Sequence, residues 1–292
     1  MMTPPTIAEL LRTAAGRLSA TSSTPRLDAE LLLAHVLGWS RARLLAERDH
    51  RPPPGLAVAF DASVERRARG VPVAYLVGHK EFYGLDFFVS PATLVPRPET
   101  ELLVELALAA ARRRSRGAEP LLIADVGTGT GAIAVALASY CPGALVYAVD
   151  LSAEALAVAR RNVERHGLAG RVRLLHGDLL APMPGPVDLI VSNPPYTILD
   201  EVEPDVRAYE PHIALEGGPD GAAIYRRLLA AAPAYLRQGG AVLLEIGAWQ
   251  GELVSELLRE AFPAAAVAMH QDLAGLDRVV VADLPPAAAE QL

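Results

Sequence analysis

A single cysteine, Cys141, excludes an internal disulfide, and the seven histidines are scattered without a His-Glu-x-x-His pattern. Metal sites need ligand clusters, so none is expected. Lysine is missing altogether from residues 91–292. Residues 1–90 hold 11 basic and 9 acidic residues, which leaves 16 and 25 of the totals of 27 and 34 for the remainder. That acidic remainder, in a chain of net charge −7, lacks the basic footprint of a general polyanion binder. The 23 glycines and 24 prolines follow no three-residue period, which excludes a collagen-like fibre. Met1 to Leu10 has no basic start leading into an apolar run, so no export signal is expected. Val126 to Val149 carries no charge, yet Gly127, Gly129, Gly131, Pro142 and Gly143 interrupt it, which argues against a membrane span. These absences predict a soluble, cytoplasmic protein. What is present is 51% apolar residue content in 292 residues, enough for a sizeable core in one large unit or two.

Two rhythms divide the chain. The first ninety residues read as helices: Thr6 to Leu18 sets Ile7, Leu10, Leu11, Ala14 and Leu18 on one face, and Leu27 to Leu37 aligns Leu27, Leu31, Ala34 and Leu37 before Gly38. A third helical stretch covers Pro52 to Arg69, and Phe82 to Val89 reads as a hairpin turning at Gly84. From Leu121 the pattern becomes strand, loop, helix. Apolar runs fall at Leu121–Val126, Ala144–Val149, Arg171–Leu175, Val187–Val191, Ala241–Ile246, Ala265–Met269 and Arg278–Ala282. Helical patterns at Ala132–Tyr140, Ala153–His166, Ala222–Leu236 and Gln250–Phe262 separate most of them. Alternation of this kind predicts an α/β fold with a mostly parallel sheet. The last two runs lack a helix between them, so the last strand is expected to be antiparallel. Ligands of such sheets sit beyond the carboxyl ends of the strands, near the topological switch point.

The loop after the first of these strands reads Asp125-Val126-Gly127-Thr128-Gly129-Thr130-Gly131. Glycines allow positive φ and let a ligand approach the backbone, and the following helix N-terminus favours polar or anionic groups. By itself this loop fits either a nicotinamide dinucleotide or S-adenosylmethionine. Asp150 closes the second strand, where a carboxylate can accept two hydrogen bonds from a ribose diol. Asp178, with Leu179 after it, closes the third and is placed to meet an adenine amino group or to cap a turn. The fourth strand runs into Asn193-Pro194-Pro195-Tyr196. Two prolines stiffen the backbone and remove two donors, so the segment is rich in acceptors beside an aromatic ring. That suits a planar NH₂ group: Asn193 and the Pro194 carbonyl take its protons, and Tyr196 covers its plane. Methyl transfer to nitrogen has a use for this arrangement and hydride transfer has none.

Asp-x-Gly-x-Gly-x-Gly followed by Asn-Pro-Pro-Tyr resembles the Rossmann-like amino-methyltransferases that use S-adenosylmethionine. Within them, four further segments resemble the release-factor glutamine methyltransferases, the PrmC or HemK family. They are Pro72–Leu76 with Glu81–Gly84, Leu94–Glu101, Tyr209–Pro211 with Ala214-Leu215, and Asp272–Gly275. The resemblance covers nearly the whole chain. It implies a helical N-terminal domain over 1–75, a linking hairpin over 76–92 and a methyltransferase domain over 93–292; the separate rhythm and near-neutral charge of the helical region suit substrate recognition, and a stabilising cap on the sheet is the alternative. It further implies that Gly127, Thr128, Gly129, Thr130 and Gly131 hold the methionine moiety of the cofactor and Asp150 its ribose. Asp178 and Leu179 are then expected at the adenine, and Asn193, Pro194, Pro195 and Tyr196 at the substrate glutamine, with Asn193 touching the cofactor as well. Where the family has an aromatic after Asp178 this chain has Leu179-Leu180, so the adenine contact would be aliphatic. The implied reaction moves a methyl from S-adenosylmethionine to the side-chain amide nitrogen of the glutamine in a Gly-Gly-Gln motif of a peptide-chain release factor. S-adenosylhomocysteine is left, and no metal takes part.

Rival readings are a methylase of a ribosomal-protein glutamine, an adenine amino-methyltransferase, a dinucleotide oxidoreductase and a non-catalytic nucleotide binder. A flipped base needs phosphate contacts that the acidic, lysine-free remainder supplies poorly, so nucleic acid is not the expected partner. A mere binder has no need of rigid acceptors beside a cofactor.

Overall fold

A computed structural model describes residues 4–114 and 119–286; the first three residues of the Met1–Leu10 segment lie outside it. The chain divides into two compact units, Met1–His79 and Lys80–Leu292.

The first unit is helical: α1 (Ile7–Leu18), α2 (Pro25–Leu37), α3 (Arg41–Ala46), α4 (Pro54–Ala68) and α5 (Val73–Val77). Helix α1 starts at a reciprocal cap, with Thr6 accepting from the Glu9 N–H and Glu9 accepting from the Thr6 N–H. It buries Ile7, Leu11, Ala14 and Leu18, as its periodicity predicts. Helix α2 departs from expectation. Leu27 and Leu31, expected on the buried face, are exposed, and the buried residues are Asp28, Ala29, Glu30, Leu32, Leu33 and Ala34. This helix carries two apolar stripes, and the one used also holds two carboxylates that arginines neutralise. Asp28 pairs with Arg67 at 2.7 Å, and Glu30 with Arg26 at 2.9 Å and Arg41 at 2.8 Å.

A hairpin, β1 (His79–Phe82) and β2 (Leu85–Phe88), begins at the last residue of the first unit and otherwise belongs to the second; its turn residues Tyr83 and Gly84 both have positive φ. Helix α6 (Thr100–Arg114), which the sequence reading passes over, buries Leu103, Val104, Ala107, Leu108, Ala110 and Ala111. A seven-stranded sheet follows, of β3 (Leu121–Val126), β4 (Ala144–Asp150), β5 (Val172–His176), β6 (Val187–Ser192), β7 (Leu236–Glu245), β8 (Ala266–Gln271) and β9 (Asp277–Asp283). Its order is β5-β4-β3-β6-β7-β9-β8. Strands β5 to β7 pair in parallel, and β9, the last in the chain, runs against both its neighbours as expected.

Alternate residues feed two cores. Ile123, Leu189, Val191 and Leu243 join α6 and α7 (Ala132–Tyr140) on one face. Ala124, Ile190, Val242 and Leu244 join α10 (Ala223–Tyr235) and α11 (Gly251–Ala261) on the other. Two further helices, α8 (Ala153–Arg165) and the short α9 (Pro204–Tyr209), complete the unit. The strand order reverses between β3 and β6, which places the crevice where those two strands end.

Candidate functional site

Val126 pairs with Ser192, so Gly127 and Asn193 leave the sheet side by side. A Cβ on Gly127 would lie 3.9 Å from the Asn193 carbonyl oxygen. Gly127, Gly129 and Gly131 have φ of 75°, 55° and 79°, the left-handed region that favours glycine. The loop satisfies several of its own donors: the Gly127 and Thr128 N–H groups donate to the Val149 carbonyl, and the Gly129 N–H to Asp150 Oδ2 at 2.8 Å. Gly131 stands apart from its neighbours in the motif. It lies against α8, where a Cβ would meet that of Ala159 at 3.3 Å, and it does not line the cavity. Its conformation secures helix packing.

Behind the loop, Asp125 is fully buried. Its Oδ2 accepts from the Thr128 hydroxyl at 2.5 Å and the Ala134 N–H at 3.1 Å, while Oδ1 has no partner. Burial first, and Asp150 nearby, push it up to about 7. Burial also raises Asp150, against hydrogen bonds from the Ser152 and Gly129 N–H groups. Each Asp150 oxygen accepts one backbone N–H (2.9 Å to Oδ1 from Ser152) and retains a further lone pair for a ligand hydroxyl.

Gly127, Thr128, Gly129, Thr130, Asp150, Asp178, Leu179, Asn193 and Pro195 line one cavity. Asp178 is half exposed and forms an ion pair with Arg227 of α10. Leu179 takes a φ of 50°, uncommon for a leucine, while Leu180 beside it is fully buried. Sequence reasoning missed Phe82, Leu94, Thr100, Ile213 and Arg227 in the same wall, because long-range contacts bring them there.

A second cavity adjoins the first, with Leu94, Arg97, Asn193 and Ala214 common to both linings. Pro194, Tyr196, Glu245 and Trp249 line the second alone. The Asn193 side chain donates from Nδ2 to Thr100 Oγ1 at 3.3 Å. Burial pushes the Tyr196 hydroxyl up to about 12, so it stays protonated at neutral pH. The Trp249 ring stands edge-on to Tyr196, centroids 6.4 Å apart. Gln250 Nε2 donates to the Tyr196 carbonyl at 3.3 Å and to the Gly221 carbonyl at 3.0 Å. Gly221, at φ 70°, is required there: a Cβ would come within 2.4 Å of the Tyr196 carbonyl oxygen. The turn-rich Glu216-Gly217-Gly218-Pro219-Asp220-Gly221 stretch is the only sequence signal for that contact.

Glu245 ends β7 beside this cavity with 1% exposure, and its Oε2 has no partner. Burial pushes it up to about 7, opposed by the Arg278 and Arg97 cations. Three of the segments noted in the sequence meet in this region. Arg97 Nη2 donates to Glu210 Oε1 at 2.5 Å and the Val95 N–H to Glu210 Oε2 at 3.2 Å, joining 94–101 to 209–211. Asp272 accepts from the Ala274 and Leu276 N–H groups and from Arg278, whose guanidinium also donates to the Ile246 carbonyl at 3.4 Å. Glu101 accepts from the Tyr83 N–H at 2.9 Å, tying the hairpin to α6.

Two cavities meeting at one amide suit transfer between two ligands, one in each. Among the described residues, no group of three or more His, Cys, Asp or Glu is placed to hold a metal ion. No helix of the described residues is long and apolar enough to cross a membrane.

Comparison with known proteins adds to the geometry. Residues 9–78 match the family model described as "PrmC N-terminal domain", and residues 100–208 match "Methyltransferase small domain". The release factor glutamine methyltransferase of Moorella thermoacetica is 46% identical over 282 residues, covering 95% of this chain and 98% of that protein. The protein of the same name from Cereibacter sphaeroides is 46% identical over 285 residues, covering 96% and 99%. Among solved structures, a methyltransferase from Pyrococcus furiosus superposes with a TM-score of 0.51 at 21% identity, over 76% of this chain and 96% of that one, a likeness of fold.

Proposed function

The chain belongs to the release factor glutamine methyltransferase family and is a methyltransferase, and from that premise we propose the following reaction. It moves a methyl from S-adenosylmethionine to the side-chain amide nitrogen of the glutamine in the Gly-Gly-Gln motif of a peptide-chain release factor. The observation that carries this reading is the position of Asn193, on the wall common to both cavities.

The residues fit the cofactor. Positive-φ glycines leave room along the loop after β3, and Asp150 keeps lone pairs for a ribose diol. Asp178 and Leu179 border the adenine end, where the contact is aliphatic. S-adenosylmethionine supplies an electrophilic methyl on a sulfonium.

An amide nitrogen is a poor nucleophile, because its lone pair is delocalised into the carbonyl. Alignment is therefore the main contribution asked of the protein, and oriented pairs gain roughly 7–11 kcal/mol. With Nδ2 given to Thr100, Asn193 turns Oδ1 toward an incoming NH₂ group. The Pro194 carbonyl takes the second proton, and Tyr196, held at its carbonyl by Gln250, covers the plane. These hydrogen bonds strengthen as the nitrogen becomes positive, which favours the transition state over the ground state, and the methylated nitrogen then gives up one of its two protons to solvent. The helical first unit is read as the grip on the release factor.

The test is transfer of labelled methyl from S-adenosylmethionine to a recombinant release factor. Asn193→Ala should lower the rate by about 10²–10³, the scale for losing one preorganised polar group. A release factor whose Gly-Gly-Gln glutamine is replaced should accept no label. Near-normal turnover in the Asn193 variant would remove this mechanism.

A further inference from the structure

Asp272–Gly275 forms the turn between β8 and β9 and lines neither cavity. Its one charge is taken up inside the turn. The Asp272 carboxylate accepts from the Ala274 and Leu276 N–H groups at 2.9 and 3.1 Å, and from Arg278 Nε and Nη2 at 3.2 and 3.1 Å. Two main-chain hydrogen bonds close the loop, from the Asp272 N–H to the Leu276 carbonyl and from the Gly275 N–H to the Asp272 carbonyl, both 2.9 Å. Gly275, at φ 76°, supplies the left-handed residue the turn needs. So fastened a turn is rigid, and what it holds out is apolar: Leu273 is fully exposed at the tip and Leu276 is half exposed.

A lone surface leucine is ordinary. This one has company, because Met269 on the edge strand β8 and Trp249 on the loop between β7 and α11 are exposed as well. That loop is tied to the hairpin at both ends. The Ile246 N–H donates to the Arg278 carbonyl at 2.9 Å, and the Ile246 carbonyl accepts from Arg278 Nη1 at 3.4 Å. At the other end Gly251 packs so closely on Met269 that a Cβ would collide with Sδ. Trp249 itself lines the second cavity and stands edge-on to Tyr196. The apolar surface therefore runs into the wall of the substrate cavity.

We propose that Trp249 and the β8–β9 turn form a docking surface for the release factor, with Trp249 and Leu273 as its anchors. The inference rests on the glutamine methyltransferase reading and deepens it. A cavity that takes one glutamine side chain requires the main chain bearing it to cross the rim, where Trp249 stands. The two glycines before that glutamine have no Cβ and leave the indole room to lie against their backbone. With Asp272 neutralised inside the turn, the side chains that meet Leu273 are apolar ones flanking the Gly-Gly-Gln loop. A rigid turn loses little freedom on binding, and a tryptophan at the rim is a common interface anchor.

The test is steady-state methylation of a release factor by the full chain, in wild type, Leu273→Asp, Leu273→Met, Trp249→Ala and Trp249→Phe, with light scattering on each. Leu273 packs on nothing it could unfold, and S-adenosylmethionine titration should show its variants folded with unchanged affinity. Leu273→Asp should raise the KM for the release factor by about 10- to 30-fold at retained kcat, the scale for losing an interface anchor. Leu273→Met should keep the wild-type KM. Trp249→Ala should raise the KM as well, and Trp249→Phe should keep most of the affinity. An unchanged KM in folded Leu273→Asp would overturn the proposal. So would a wild-type dimer that Leu273→Asp dissociates without moving KM, since the surface would then belong to a second copy of the chain. Failure of the wild type to methylate any release factor would remove the reading beneath, and the proposal with it.

Discussion

The Gly129 N–H donates to Asp150 Oδ2 at 2.8 Å, so the acid that ends β4 is held by the loop that ends β3. Neither part of this contact is independent of the other. The carboxylate fixes the loop's conformation, and the loop fixes where the remaining lone pairs of the carboxylate point.

Replacing Asp150 by Ala should therefore weaken S-adenosylmethionine by more than the loss of one ligand contact. A hydrogen bond to a charged group is worth about 1.5–3 kcal/mol, which sets an expected loss of at least about 10-fold in affinity. Isothermal titration measures it directly. Unchanged affinity would take Asp150 out of the cofactor site.

Gly221→Ala separates the substrate side from the cofactor side. Its φ of 70° already disfavours a side chain by about 1–2 kcal/mol, and the new Cβ would press on the Tyr196 carbonyl. The expected result is a lower melting temperature, by about 2–4 °C per kcal/mol, with kcat reduced and S-adenosylmethionine affinity retained. Loss of cofactor binding in a folded Gly221→Ala protein would contradict this division.

Asp125 gives a pH-dependent stability. Its folded pKa of about 7 lies above the ordinary carboxylate value, so between the two the folded chain holds a proton that the unfolded chain has lost. Its contribution is fully present below the unfolded pKa and is lost as pH rises through about 7. Asp125→Asn removes that titration. Its melting temperature should improve relative to wild type between pH 5 and pH 8, by several degrees on the scale of roughly 2–4 °C per kcal/mol. A difference that stays constant between the two pH values would contradict the raised pKa.

Deleting the first unit, Met1–His79, tests its role as the grip on the release factor. The KM for the release factor should rise by about 10-fold or more, on the scale of 1.4 kcal/mol for each factor of ten, while S-adenosylmethionine affinity is retained. An unchanged KM in a folded truncation would leave that unit a purely stabilising one.

Much of the second unit was legible in the sequence because its signals are local. Strands β3 to β9 all read as apolar runs, and the glycine loop and Asn193–Tyr196 stand at strand ends where a parallel sheet puts its ligands. Helix α6 was not legible, since it starts inside Arg97–Glu101, a segment read only as a motif, and its all-round leucine and alanine content hides the buried face. In α2 the choice between two apolar stripes was decided by Arg26, Arg41 and Arg67, which lie off the stripe itself. Thr100, the hydrogen-bond partner of Asn193, stands 93 positions from it and carries no spacing that would join the two. The left-handed backbone at Leu179 and Tyr83 has no sequence signal either, because both are residue types that seldom adopt it.

The most direct test of the account is peptide mass spectrometry on a recombinant release factor incubated with this protein and S-adenosylmethionine. The account predicts a gain of one methyl, mapped to the glutamine of Gly-Gly-Gln and strongly reduced with Asn193→Ala. An unmodified glutamine, from an enzyme that binds S-adenosylmethionine, would contradict it.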